Sequence, residues 1–279
     1  MNPSVLLVGM GKLGGSLAQQ LSLQGWQVTG LCRTPRLHSP YPLHYVDLCQ
    51  QVPTLPAYDY VVVVLTPASR DEAGYRATFV HGLQHLLQGL SQPPQRLLFV
   101  SSTSVYHQSE GEWVDEQSPT QPSGYAGQVL LQAEALVRAL PYPTSVLRLS
   151  GIYGAGRNHL LEQVLAGVGQ AEQPAYISNR IHQQDVVGFI CHLLNLALQQ
   201  QPWRPCYLVT DSEPAPLAEV CQWLAQQLGV QLHTLKGLRS RGGSKYCRNH
   251  AVIESGYVLH YPDYRQGYQA TLVELGYIK

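Results

Sequence analysis

Charged side chains are scarce in this chain. Asp, Glu, Lys and Arg make up only 13% of 279 residues, and equal numbers of acids and bases leave no formal net charge. No basic or acidic block stands out, which argues against nucleic acid or anionic lipid as a partner. Paired cysteines are also missing. Cys32, Cys49, Cys191, Cys206, Cys221 and Cys247 are scattered without a C-x-x-C or any metal-ligand spacing, so reduced thiols are expected rather than disulfides or a metal site. No apolar run is long enough to cross a bilayer. The run Val5-Leu6-Leu7-Val8 breaks at Gly9, too short for a signal peptide or a span, and a cytoplasmic protein is the default expectation. Lysine occurs only at positions 12, 236, 245 and 279, and no Asp or Glu precedes Asp47.

What is present is a hydrophobic fraction of 44%, enough for a substantial core. Strand-length apolar runs alternate with helical spacing through the first two hundred residues. The strands expected are Val5–Val8, Gln27–Leu31, Leu43–Val46, Tyr60–Leu65, Arg96–Val100 and Ser145–Leu149, with a further one near Tyr207–Val209 in the less regular last third. Tyr60–Leu65 lacks alternation, as a strand covered on both faces should. Helices are expected over about 13–21, 75–88 and 126–140, then after Asp185 and over about 217–228. This order makes an α/β, doubly wound parallel Rossmann sheet. A small C-terminal substrate lobe from non-contiguous segments completes the fold class. The expected division is residues 1–155 plus about 180–210 for the nucleotide-binding domain, and about 156–179 plus 211–279 for the lobe.

Gly9-Met10-Gly11-Lys12-Leu13-Gly14 is a G-x-G-x-x-G loop placed directly between a strand and a helix. Gly9 permits the tight turn, Gly11 lets a pyrophosphate approach the backbone, and Gly14 lets the helix pack close to the sheet. The phosphates would rest on unpaired N–H groups at the positive helix end. An NAD site usually has an acid about twenty residues further on, for the adenosine ribose. Here the second strand ends in Leu31-Cys32-Arg33-Thr34-Pro35-Arg36. Guanidinium groups at Arg33 and Arg36 would pair with a 2′-phosphate that a carboxylate would repel, and Lys12 adds a cation. NADP(H) is therefore expected over NAD(H). Asp47-Leu48 either reaches the adenine amino group or is plain loop.

Three later segments carry a resemblance: Ser101-Ser102-Thr103-Ser104-Val105-Tyr106, Pro122-Ser123-Gly124-Tyr125, and Leu147-Arg148-Leu149-Ser150-Gly151-Ile152-Tyr153-Gly154. Arg180-Ile181-His182-Gln183-Gln184-Asp185 follows. In this order they resemble the extended short-chain dehydrogenase/reductases, the NAD(P)-dependent epimerase/dehydratase family, over almost the whole chain. The resemblance implies that Tyr125 is the general acid/base on a carbinol oxygen and that Ser102 orients that oxygen. It also places Leu65, Thr66 and Ser101 beside the cofactor. The implied activity is NADP-dependent oxidoreduction or epimerisation at a hydroxyl or carbonyl carbon of a small molecule. Helices near 75–88 and 126–140 resemble the pair through which that family often dimerises, which leaves a homodimer open.

One departure is pronounced. The family's Y-x-x-x-K motif has Val129 in place of lysine. A free tyrosine has a pKa near 10, so roughly one molecule in a thousand is phenolate at neutral pH without such help. An alternative therefore stands beside the enzyme: an NADP(H)-binding sensor without turnover. Among smaller signals, Asp185 reads as a helix N-cap, His182 as a packing residue, and His81 with His85 as a helix-face pair rather than a metal site. Arg148 is either a structural ion-pair partner or a substrate contact.

Overall fold

The computed structural model describes residues 2–35, 38–236 and 244–278. Its central feature is a seven-stranded parallel sheet. The strands are β1 (Ser4–Val8), β2 (Gln27–Cys32), β3 (Leu43–Tyr45), β4 (Tyr60–Val63), β5 (Arg96–Ser102), β6 (Thr144–Leu149) and β7 (Cys206–Val209). Their spatial order is β3-β2-β1-β4-β5-β6-β7. Val5 pairs with Val28 on one side and Tyr60 on the other, so β1 is interior. The order reverses between β1 and β4, the switch point at which doubly wound sheets bind ligands outside their carboxyl ends.

The apolar runs form strands because helices cover both faces. Val5 to Val8, Tyr60 to Val63 and Leu97 to Phe99 are all buried. Each such side chain contributes roughly 1.5–3 kcal/mol on leaving water. Helix α1 (Lys12–Leu23) buries Leu13, Leu17, Ala18 and Leu21 on one stripe. The helix expected from Tyr75 starts earlier, at Glu72, because Asp71 caps it by accepting the Gly74 amide at 2.7 Å. It continues through a π-helical turn, Ala77–His81, into Gly82–Gly89. Helix α3 (Tyr125–Arg138), counting the 72–89 segment as α2, packs against β5 and α2.

The chain divides into two compact units. One comprises Met1–Val105, Gln121–Arg148 and Val187–Tyr207; the other comprises Tyr106–Thr120, Leu149–Val186 and Leu208–Lys279. The second unit is built on a core of Tyr153, Leu161, Val164, Leu224, Tyr264 and Leu272. Its strands are only two to five residues long and pair pairwise. Gly151–Tyr153 runs parallel to Arg180–His182, and Val168–Gln170 runs parallel to Thr234–Lys236. Elements this short carry too little periodicity to be read in advance.

Asp185 is not the cap expected. The helix α4 (Gln183–Leu198) already includes it, and its buried carboxylate accepts the His260 amide (2.7 Å), the Tyr261 amide (3.0 Å) and the Tyr257 hydroxyl (3.1 Å). It anchors the 257–261 loop instead. His182 packs as expected, with its ring edge-on to Tyr153 and Tyr261.

Candidate functional site

A groove of roughly 250 Å³ opens at the switch point of the N-terminal unit, among the loop glycines and the ends of β1, β2 and β4. Three glycines shape it for three reasons. Gly9 has φ +105°, and a Cβ there would collide with the Val64 carbonyl. A Cβ at Gly14 would collide with the Gly9 carbonyl, so α1 could not sit so close to β1. Gly11 is different: nothing lies within 4 Å of where its Cβ would be. It is the N-cap of α1 without a side-chain capping bond, and no acid occupies the helix's first turn. Exposed amides facing open space at a positive helix end fit a diphosphate.

Met10, Gly11, Leu31, Arg33, Asp47 and Leu48 all line this groove, as do Leu65 and Thr66 on the β4 side. Arg33 is exposed at the rim of the groove. Arg36 lies outside the described residues. Asp47 has one carboxylate oxygen engaged locally, Oδ1 accepting the Cys49 amide at 3.0 Å. Lys12 stands exposed at the start of α1, whereas Leu13 and Gly14 are buried under it and serve packing.

The serine segment begins at the end of β5, and its residues Ser101 to Val105 belong to the same unit. Ser102 is half-buried, and its Oγ accepts the Ser104 amide at 3.2 Å. Gly127 presses α3 onto this segment, since a Cβ there would strike the Ser104 carbonyl. Tyr125, two residues earlier, sits at the exposed start of α3. Its hydroxyl donates to the Arg70 carbonyl at 2.6 Å, and its ring is edge-on to Tyr75. Val129 is fully buried one turn on.

Ser101 departs from its expected role. Its hydroxyl points into the protein and donates to Glu134 Oε1 at 2.7 Å, and it does not line the groove. Glu134 is fully buried and also accepts Arg148 Nε (3.1 Å) and Nη2 (2.8 Å) and Arg138 Nη2 (2.9 Å). Arg148 thus resolves as a structural ion-pair partner joining β6 to α3. This clamp was missed in the sequence, although an acid on the apolar stripe of α3 facing an arginine in a strand was the signal available.

The other lysines are accounted for within the C-terminal unit. Lys245 is buried and donates to the Tyr106 carbonyl at 3.3 Å, and burial pulls its ammonium below the usual lysine range. Lys236 lines a separate cavity. His85 bonds the Leu48 carbonyl through Nδ1 at 2.7 Å, and no cluster of metal-ligating residues exists among the described residues. Among them, too, no helix is long and apolar enough to cross a membrane.

A doubly wound sheet with a glycine loop at its switch point defines a Rossmann protein of the NAD(P)-binding type. The chain belongs to the NAD dependent epimerase/dehydratase family, whose model matches residues 5–202. It is similar to protein YeeZ of Escherichia coli strain K12, with 29% identity over 272 residues, 93% of this chain and 96% of that one. A solved structure from Methylobacillus flagellatus, described as an NAD-dependent epimerase/dehydratase, is 31% identical. It superposes with a TM-score of 0.81, covering 99% of this chain and all of the other. The human epimerase family protein SDR39U1 with NADPH shares the fold at a TM-score of 0.78 and 21% identity, over 96% of this chain and 98% of that one. The family's cofactor is NAD(P).

Proposed function

We propose that this protein is an NADP(H)-dependent oxidoreductase or epimerase acting at a hydroxyl- or carbonyl-bearing carbon of a small molecule. The observation that carries the reading is the groove, with open space over Gly11 and Arg33 at its rim where NAD-binding chains usually hold an acid. The bound dinucleotide would supply hydride exchange at its nicotinamide ring. The chain supplies the rest. Backbone amides at the start of α1 hold diphosphate, Arg33 meets a 2′-phosphate, Ser102 orients a carbinol oxygen, and the Tyr125 hydroxyl takes or gives its proton.

A second reading has its own support. Val129 is apolar and carries no charge that could pair with a phenolate at Tyr125, and the Tyr125 hydroxyl is already bonded to the Arg70 carbonyl. A protein that binds NADP(H) and signals its redox state to a partner, without turnover, fits both facts. The experiment that separates them follows absorbance at 340 nm with a panel of alcohols and carbonyl compounds, using the intact chain and Tyr125→Phe. The enzyme reading expects turnover that falls by roughly a hundredfold or more in the variant, as loss of a general acid/base should. Tight NADP(H) binding with no Tyr125-dependent turnover would overturn it in favour of the sensor. The variant should fold normally, because Tyr125 is exposed and loses only one hydrogen bond.

A further inference from the structure

A short connection, residues 64–71, leads from β4 to α2 along the surface of the N-terminal unit. Its near end, Leu65 and Thr66, lines the groove. Its far end meets Tyr125, whose hydroxyl donates to the Arg70 carbonyl at 2.6 Å, toward the short end of the O–H···O range. Further contacts fasten the connection. The Ala68 amide donates to the buried Thr78 hydroxyl at 3.0 Å. The Ser69 hydroxyl donates to Asp71 Oδ1 at 2.8 Å, the same oxygen that accepts the Gly74 amide. Gly74 lets Ser69 lie against the start of α2, because a Cβ there would collide with the Ser69 backbone and side chain. Tyr75 packs edge-on to the Tyr125 ring, with centroids 5.5 Å apart.

A phenol has one proton to give, and a carbonyl oxygen can only accept. While the Tyr125 proton points at Arg70, it cannot be handed to a substrate oxygen. Tyr125 cannot serve as a base in that position either. Once deprotonated, it would face the carbonyl as a second acceptor 2.6 Å away with no hydrogen between them. Proton transfer in both directions therefore requires the hydroxyl and the Arg70 carbonyl to part. One turn along α3, apolar Val129 offers the phenolic oxygen no competing polar partner. A hydrogen bond of this kind favours the bonded state by roughly two- to tenfold. Residues 68–71 are exposed, so the connection can move aside without rebuilding the core.

We propose that residues 66–71 form an autoinhibitory latch: the Arg70 carbonyl holds the Tyr125 proton away from substrate, and displacing the connection frees the tyrosine for catalysis. Unlatching is then a conformational step ahead of the chemistry, and the unlatched fraction scales kcat. The latch as an inhibitor rests on the reading of Tyr125 as general acid/base. Its existence and its effect on turnover are therefore measured separately.

Limited trypsin digestion of the full chain, read by mass spectrometry, reports the latch without any turnover, because cleavage after Arg70 needs its carbonyl free. Tyr125→Phe removes the bond and should speed that cleavage by roughly two- to tenfold, while cleavage after Arg33, exposed in the same unit, keeps its rate. Gly74→Ala, whose Cβ pushes Ser69 off the start of α2, should speed it likewise. Absorbance at 340 nm, with NADP+ and alcohols or NADPH and carbonyl compounds, reports the inhibition. Gly74→Ala should raise kcat by roughly two- to tenfold and Ser69→Ala by about twofold, and adding Tyr125→Phe to Gly74→Ala should abolish the gain. If Gly74→Ala does not fold, Ser69→Ala, which loses one exposed hydrogen bond, carries the comparison. The latch is overturned if Tyr125→Phe leaves cleavage after Arg70 unchanged, or speeds cleavage after Arg33 equally. Faster cleavage with kcat unchanged in Gly74→Ala and Ser69→Ala overturns the inhibition alone. If NADP+ binds but no variant turns over any compound, the enzyme reading fails and the inhibition falls with it.

Discussion

Glu134 offers the sharpest prediction about what holds the N-terminal unit together. Its carboxylate is fully buried and receives four hydrogen bonds, from Ser101, from Arg148 twice and from Arg138. Arg138 is 40% exposed at its side chain and contributes little, but that of Arg148 is only 4% exposed. In Glu134→Ala the buried Arg148 guanidinium loses its counter-charge and two bonds, at a cost of about 3–5 kcal/mol. For a domain of this size that is a fall in melting temperature of roughly 6–20 °C. Glu134→Gln keeps the volume and one acceptor, so it should lose less, about 1.5–3 kcal/mol. The double variant Glu134→Leu with Arg148→Met removes both charges together and should recover most of the loss, because a buried pair and an apolar pair of similar volume differ little. Urea unfolding followed by circular dichroism measures all three. A loss under about 1 kcal/mol in Glu134→Ala, or a double variant no better than the single, would refute the clamp.

Two further variants and one pH series follow from the same structure. Gly9→Ala should cost roughly 2–3 kcal/mol or more, because its backbone is left-handed and a Cβ meets the Val64 carbonyl. Gly11→Ala should leave the melting temperature within about a degree of the parent and weaken dinucleotide binding roughly tenfold; equal effects on stability would break the assignment of their roles. Burial lowers the His182 imidazole to about 4. Between that value and about 6.5 the unfolded chain carries a proton that the folded one refuses, so stability falls as pH drops through this window, by up to about 1.4 kcal/mol per pH unit. His182→Gln should flatten the decline in melting temperature between pH 7 and 5, and an unchanged slope would show that another group governs it.

The sheet was legible in the sequence because β1, β4 and β5 are continuous apolar runs and the glycine loop marks the first strand–helix junction. The start of α2 lies ahead of the apolar stripe because Asp71, three residues before Gly74, caps it, and a cap is set by a side chain rather than by apolar spacing. Ser101 and Glu134 were not legible as partners, because 33 residues separate them and only the packing of α3 on β5 brings them within 2.7 Å. Asp185 has the residue type of a cap at the start of a helix, and only the fold reveals that it holds the 257–261 loop. The burial of Arg180 was not legible for a similar reason: its strand is only three residues long, too short to show a pattern.

The central claim is that the amides around residues 9–14 hold the diphosphate of a nicotinamide dinucleotide while Arg33 favours the phosphorylated form. Calorimetric titration of the intact chain and of Arg33→Glu with NADP+ and NAD+ tests it most directly. The account predicts that NADP+ binds the intact chain more tightly, and that Arg33→Glu weakens NADP+ by roughly ten- to a hundredfold while NAD+ holds or gains. Equal or tighter binding of NAD+ by the intact chain would contradict the preference, and no heat with either nucleotide would contradict the site itself.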